Sequence, residues 1–134
     1  MATKTADKVA LGVQPKGLRV GLVAVTSVFS LNTTLSAGDV IQMVKVPLNA
    51  TPVYVALSGA TTGVGTVKVG DGVSSARYIT NYLVSANAVQ SPINTAYTPY
   101  TYSVDDTIDI TVSAVSIGTV GGAFVLTAIF AMDT

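Results

Sequence analysis

The sequence contains no cysteine, histidine, tryptophan or glutamate. Without cysteine there are no disulfides and no thiolate metal sites, and the redox compartment stays open. Without histidine or glutamate the usual general bases and nucleophile activators are missing. Neither a Ser-x-x-Lys nor a Gly-x-Ser-x-Gly pattern occurs, so a serine nucleophile has no recognisable setting. The sequence thus predicts a protein that is not an enzyme and carries no cofactor.

Charge is scarce as well. Lysine, arginine and aspartate make up 10% of the 134 residues and cancel to a formal zero, against about 25% charged residues in an average soluble domain. A folded chain of 13.6 kDa exposes on the order of 6,500 Å², so the charges are thinly spread. Such a surface suits a molecule that lives against partners, or a sandwich whose exterior is merely rich in Thr and Ser. There is also no long apolar run. The richest stretch, 18–31, is interrupted by Arg19, Thr26, Ser27 and Ser30, and no apolar core follows Met1 to Lys8. The expectation is a soluble product made inside the cell, with no membrane partner.

What is present is alternation. In 107–132, Ile108, Ile110, Val112 and Ala114 alternate with Thr107, Asp109, Thr111 and Ser113; after the glycines at 118, 121 and 122, Phe124, Leu126, Ala128 and Phe130 alternate with Val125, Thr127 and Ile129. The period of two predicts strands, read here as a β-hairpin. Asp109 points outward with Thr111 in this reading, as a solvated carboxylate. The second strand is apolar on both sides, so something must cover Val125, Thr127 and Ile129. Further strands are expected at 18–31, 40–46, 52–57, 66–69, 77–84 and 100–104. Gly70-Asp71-Gly72 is the sharpest turn signal. About eight strands with few helical periods predict an all-β fold, a jelly-roll-like antiparallel β-sandwich.

Residues 1–19 read as an extended N-terminal arm and 20–134 as a single sandwich domain. The arm carries Lys4, Lys8, Lys16 and Arg19 against Asp7, a formal +3; the body carries the compensating −3. The arm is either a frayed terminus or an extension that reaches a neighbouring subunit or an acidic surface. Four cations without interleaved aromatics make a poor nucleic-acid footprint, so no nucleic-acid partner is expected. Asp105, Asp106 and Asp109, or the region of Asp71, would offer oxygen ligands to calcium, but neither matches an EF-hand loop; the reading is solvated turn carboxylates and no metal. Tyr97, Tyr100 and Tyr102 would line a sugar-binding groove or, with rings buried and hydroxyls wet, a subunit interface.

The segments VIQMVKVP (40–47), VKVGDGVSSARYI (67–79), YSVDDTIDITVSA (102–114) and GTVGGAFVLTAIFAMD (118–133) carry a resemblance. In their order, and in the size of the chain, the sequence resembles the capsid cement (decoration) proteins of tailed bacteriophages and is similar to the jelly-roll cement protein of a Bordetella phage. The resemblance implies a homo-oligomer, dimer or trimer, on the outside of an icosahedral shell, with the major capsid protein as partner. It implies no catalytic residues. Val125, Thr127 and Ile129, then Tyr97, Tyr100 and Tyr102, are the self-association candidates. Lys4, Lys8, Lys16 and Arg19 are the candidate contacts with the coat. The reading from another class is a receptor- or carbohydrate-binding β-sandwich of a phage fibre or adhesin.

Overall fold

The computed structural model describes residues 2–6, 21–60, 65–83, 100–114 and 122–132. These form eight strands: β1 (Thr3–Thr5), β2 (Gly21–Ser30), β3 (Val40–Val46), β4 (Ala50–Ala60), β5 (Thr66–Gly70), β6 (Ile79–Leu83), β7 (Asp106–Ala114) and β8 (Ala123–Met132). They make two sheets, β1-β3-β7-β5-β6 and β2-β8-β4. All pairings are antiparallel except β1 with β3. Among the described residues there is no helix, and so none that could cross a membrane. The molecule is an all-β, jelly-roll-like sandwich.

The alternating strands bury one face each, as the period of two requires. Ile108, Ile110 and Val112 of β7 and Phe124, Leu126, Ala128 and Phe130 of β8 meet Ile41, Val55, Leu57, Val67 and Val69 in one core. The expected hairpin does not form. β7 is central in the five-stranded sheet, between β3 and β5, and β8 is central in the other, between β2 and β4. Two alternating runs joined by glycines read the same whether the chain turns back within a sheet or crosses to the opposite one. Here both sides of each strand are taken by other partners.

Other boundaries follow the sequence closely. In β3 the polar Gln42 and Lys45 stand three residues apart instead of two. The register with β7 slips between Gln42 and Val44, a bulge that buries Met43 and Val44 consecutively and restores the alternation. In β4 a similar slip falls between Pro52 and Tyr54, in keeping with proline's inability to donate to a ladder. Gly59 holds φ +145°, and a methyl group there would lie 2.2 Å from the Ala123 carbonyl oxygen.

Two expectations about elements differ. Residues 100–104 are not a strand; they are held by Tyr102, whose N–H donates to Ala50 O (3.1 Å) and whose carbonyl accepts from Asn49 N (2.8 Å). The first residues, read as free of core, supply β1 and the fully buried Ala6. The start of the chain is fastened by Ala2 N donating to Asp39 Oδ1 (3.0 Å), by Val40 N donating to Ala2 O (2.8 Å) and by Ala6 N donating to Gln42 O (2.9 Å). The rest of the arm, with Lys8, Lys16 and Arg19, lies outside the described residues.

Replacing Ile110 by Asp places an unpaired charge in the core and is expected to cost on the order of 3–5 kcal/mol in urea unfolding. Ser27, on the inner face of β2, has a buried hydroxyl without a hydrogen-bond partner. Ser27→Ala should therefore leave the unfolding midpoint unchanged or raise it; a clear loss would show that the hydroxyl is satisfied.

Candidate functional site

Charge is partitioned between the two sheets. The five-stranded sheet carries Lys4, Lys45, Lys68, Asp106 and Asp109, whereas β2, β8 and β4 carry none. The outward face of the three-stranded sheet is built of cross-strand rows: Ala24, Ile129 and Tyr54; Thr26, Thr127 and Ala56; Val28, Val125 and Ser58. Thr26 and Thr127 share a hydroxyl contact of 3.1 Å. Leu22 (70% exposed) and Val28 (44%) stand on this face. Val125, Thr127 and Ile129 are half-buried on this face. Of the self-association candidates, these three are brought together on one surface.

Both edges of this sheet are open among the described residues, since β2 and β4 each pair only with β8. Lone soluble proteins protect long edges with lysine, proline or bulges. β4 has Pro52 and the adjoining bulge; β2, ten residues long, has neither proline nor charge.

The tyrosine candidates are placed differently. Tyr97 lies outside the described residues. Tyr102, expected to have a wet hydroxyl, is buried, because its hydroxyl belongs to an internal polar network. It donates to Asp71 Oδ2 at 2.7 Å and shares a 2.5 Å contact with the Tyr78 hydroxyl. Arg77 Nε donates to the same Asp71 oxygen at 2.5 Å, and Asp71 Oδ1 accepts from Val73 N (3.0 Å) and Ser74 N (2.8 Å). The guanidinium stacks 3.8 Å above the Tyr100 ring, which meets Tyr102 edge-on at 5.0 Å. One carboxylate thus ties the 71–77 loop to the segment that leads into β7.

On its own, Gly70-Asp71-Gly72 announces only a turn. The available signal was Asp71 followed by Ser74 and Arg77, an aspartate placed to cap its own turn's N–H groups with a cation behind. Burial works to raise the Asp71 pKa, but Arg77 and the loop's hydrogen bonds outweigh it and hold it below the usual range. Burial works to lower Arg77, and Asp71 keeps it raised. Burial, with Tyr78 close by, pushes the Tyr102 hydroxyl up.

Asp109 is also a correction. It lies on the outward face of β7 as expected, but it is 6% exposed. Its partner in the register is Gly70, over which the 71–77 loop folds back. Among the described residues no three acids are placed together as ligands for a metal ion. Lys4, on β1, is half-buried near Asp39. The carboxylate of Asp39 is held below its usual range, first by the N–H of Ser36 and then by that of Ala2.

No family model matches the chain, and no curated protein matches it. Solved structures do. A chain of the capsid of Ralstonia phage GP4 superposes with a TM-score of 0.82 at 20% identity, over 98% of this chain and 99% of that one. A chain of the capsid asymmetric unit of cyanophage Pam1 gives 0.72 at 17% identity, over 87% and 89%. A chain of the acid-stable capsid of Helicobacter pylori bacteriophage KHP30 gives 0.53 at 14% identity, over 82% and 95%. At these identities the likeness establishes a shared fold.

Because the folded pKa of Asp71 is depressed, its contribution to stability is present above the unfolded value near 4 and is lost as pH falls through the folded one. Asp71→Asn should cost about 2–3 kcal/mol at pH 7 by leaving Arg77 without its counter-charge. It should also flatten the fall in stability below pH 4. Urea titrations of both forms at pH 7 and pH 3 measure the two effects.

Proposed function

We propose that this protein is a structural component of a phage virion that sits on the outside of an icosahedral capsid and cements coat subunits together. Three features support the reading. The chain has the sandwich found in chains of three phage capsids. Its three-stranded sheet presents an uncharged face and an edge, β2, that pairs with no second strand among the described residues. Its polar network is spent on internal bonds. The observation that carries most weight is the uncharged sheet, because it is hard to reconcile with a molecule that remains surrounded by water.

Magnitude says how such a surface would work. Ten residues at ~3.4 Å and three strands at ~4.8 Å give a face of roughly 500 Å². A stable interface needs about 800 Å² from each partner. One face is therefore a weak contact, suited to self-association as a dimer or trimer that gains strength from many copies held on one lattice. The major capsid protein is the proposed second partner, with Lys4, Lys8, Lys16 and Arg19 as coat contacts. The protein would be made in the cytoplasm of a bacterial host and reside on the particle. The carbohydrate-binding alternative gains no support from Tyr100 and Tyr102, since Tyr102 is buried and Arg77 covers Tyr100.

Purified heads lacking this chain should take it up stoichiometrically. Ile129→Lys and Thr127→Lys should leave the thermal midpoint within about 2 °C while abolishing either self-association or uptake. Uncharged replacements of Lys8, Lys16 and Arg19 should weaken uptake alone. Deleting the whole arm would be a poorer test, because β1 and Ala6 belong to the fold. A wild-type protein that stays monomeric and ignores heads overturns the proposal.

A further inference from the structure

The face of the five-stranded sheet opposite the core holds a carboxyl group that the proposed function does not use. Asp109 lies mid-sheet between Gln42 of β3 and Gly70 of β5. The loop that follows Gly70 folds back over Gly70, the register partner of Asp109. A methyl group on Gly70 would sit 2.0 Å from the Ser74 carbonyl oxygen, and one on Gly72 would sit 3.2 Å from Asp106 Oδ1. The loop is closed by Asp71 N donating to Ser74 O (2.9 Å) and by Tyr78 N donating to Val69 O (2.9 Å).

Among the described residues no cation bonds to Asp109, and two other carboxylates lie close to it. On its own strand are Asp106 and the Thr107 hydroxyl, which donates to Asp109 Oδ1 at 2.6 Å. From the loop comes Asp71, whose carboxylate already engages Arg77, the only ion pair among the described residues. From β3 comes the uncharged Gln42. Lys45 and Lys68 pair with Thr107 and Thr111, one step to either side on this face, and neither bonds to Asp109.

We propose that Asp109 makes the 71–77 loop a proton-operated latch: seated on the sheet while the carboxyl is protonated, loosened once it ionises. Protonation removes one of three neighbouring negative charges and lets the group remain buried. Ionisation sets Asp109 against Asp106 and Asp71, and lifting the loop admits the water that the carboxylate needs. Burial, and next the two acids against the opposing Thr107 bond, push Asp109 up to about 6. The folded value lies above the unfolded one, so the stabilising effect is full below about pH 4 and is lost as pH rises through 6. The loop carries Val73, 81% exposed, so the latch sets where that apolar side chain stands.

The test uses the intact protein. Trypsin cleavage after Arg77 reports loop opening, and cleavage after Lys45 and Lys68 reports opening of the sheet. At pH 8, Asp109→Asn should slow cleavage after Arg77 by several-fold, to a limit of about 100-fold set by two pH units, and should slow the lysine sites less. In the wild type, the Asp109 carboxyl carbon should titrate near pH 6 by NMR, with the Ser74 amide following the same midpoint and losing that step in Asp109→Asn. Equal slowing at all three sites, no slowing, a carboxyl midpoint near 4, or a Ser74 amide indifferent to it would each overturn the latch.

Discussion

Every alternating strand in this chain has one apolar face that water rejects, and covering all of those faces at once dictates the architecture. A single sheet of these strands would leave its whole apolar side wet. Two sheets placed face to face hide it. β7 and β8 carry the clearest alternation and become the central strands of opposite sheets, so the two most committed segments form the two walls of the core. The remaining strands fill in on either side of them.

Once the core is closed, the two outward faces diverge. One receives the strand-borne lysines and aspartates, the covering 71–77 loop and the bonds that radiate from Asp71. The other receives only alanine, valine, threonine, isoleucine and their like. The division places the charge of the described strands on one side of the molecule and leaves the opposite side uncharged. The donors and acceptors around Asp71 are matched to one another and join the 71–77 loop to Tyr102.

The periodic parts of this arrangement were legible in the residues. β3 runs over the residues its pattern marks, and the spacing of Gln42 and Lys45 already contained the bulge at Met43. What depends on contacts distant in sequence was not legible. β1 has three residues and no period, and is held by an aspartate 37 positions from its anchoring amide. Tyr102 finds Asp71 across 31 residues. Asp109 obeyed the alternation rule for direction, but it is buried beside Gly70, onto which the 71–77 loop folds back, and no local pattern announces that. That Val125, Thr127 and Ile129 share the outward face of β8 could be read in advance, because alternation is itself a local statement.

The uncharged sheet has a consequence for how the molecule responds to its solvent. An attachment made through it contains no ion pair for dissolved salt to screen, so raising ionic strength leaves it standing where charge-mediated contacts dissolve. Sulfate, by tightening apolar association, would strengthen it. Cooling is the condition that weakens it, because the drive to hide apolar surface fades as temperature falls.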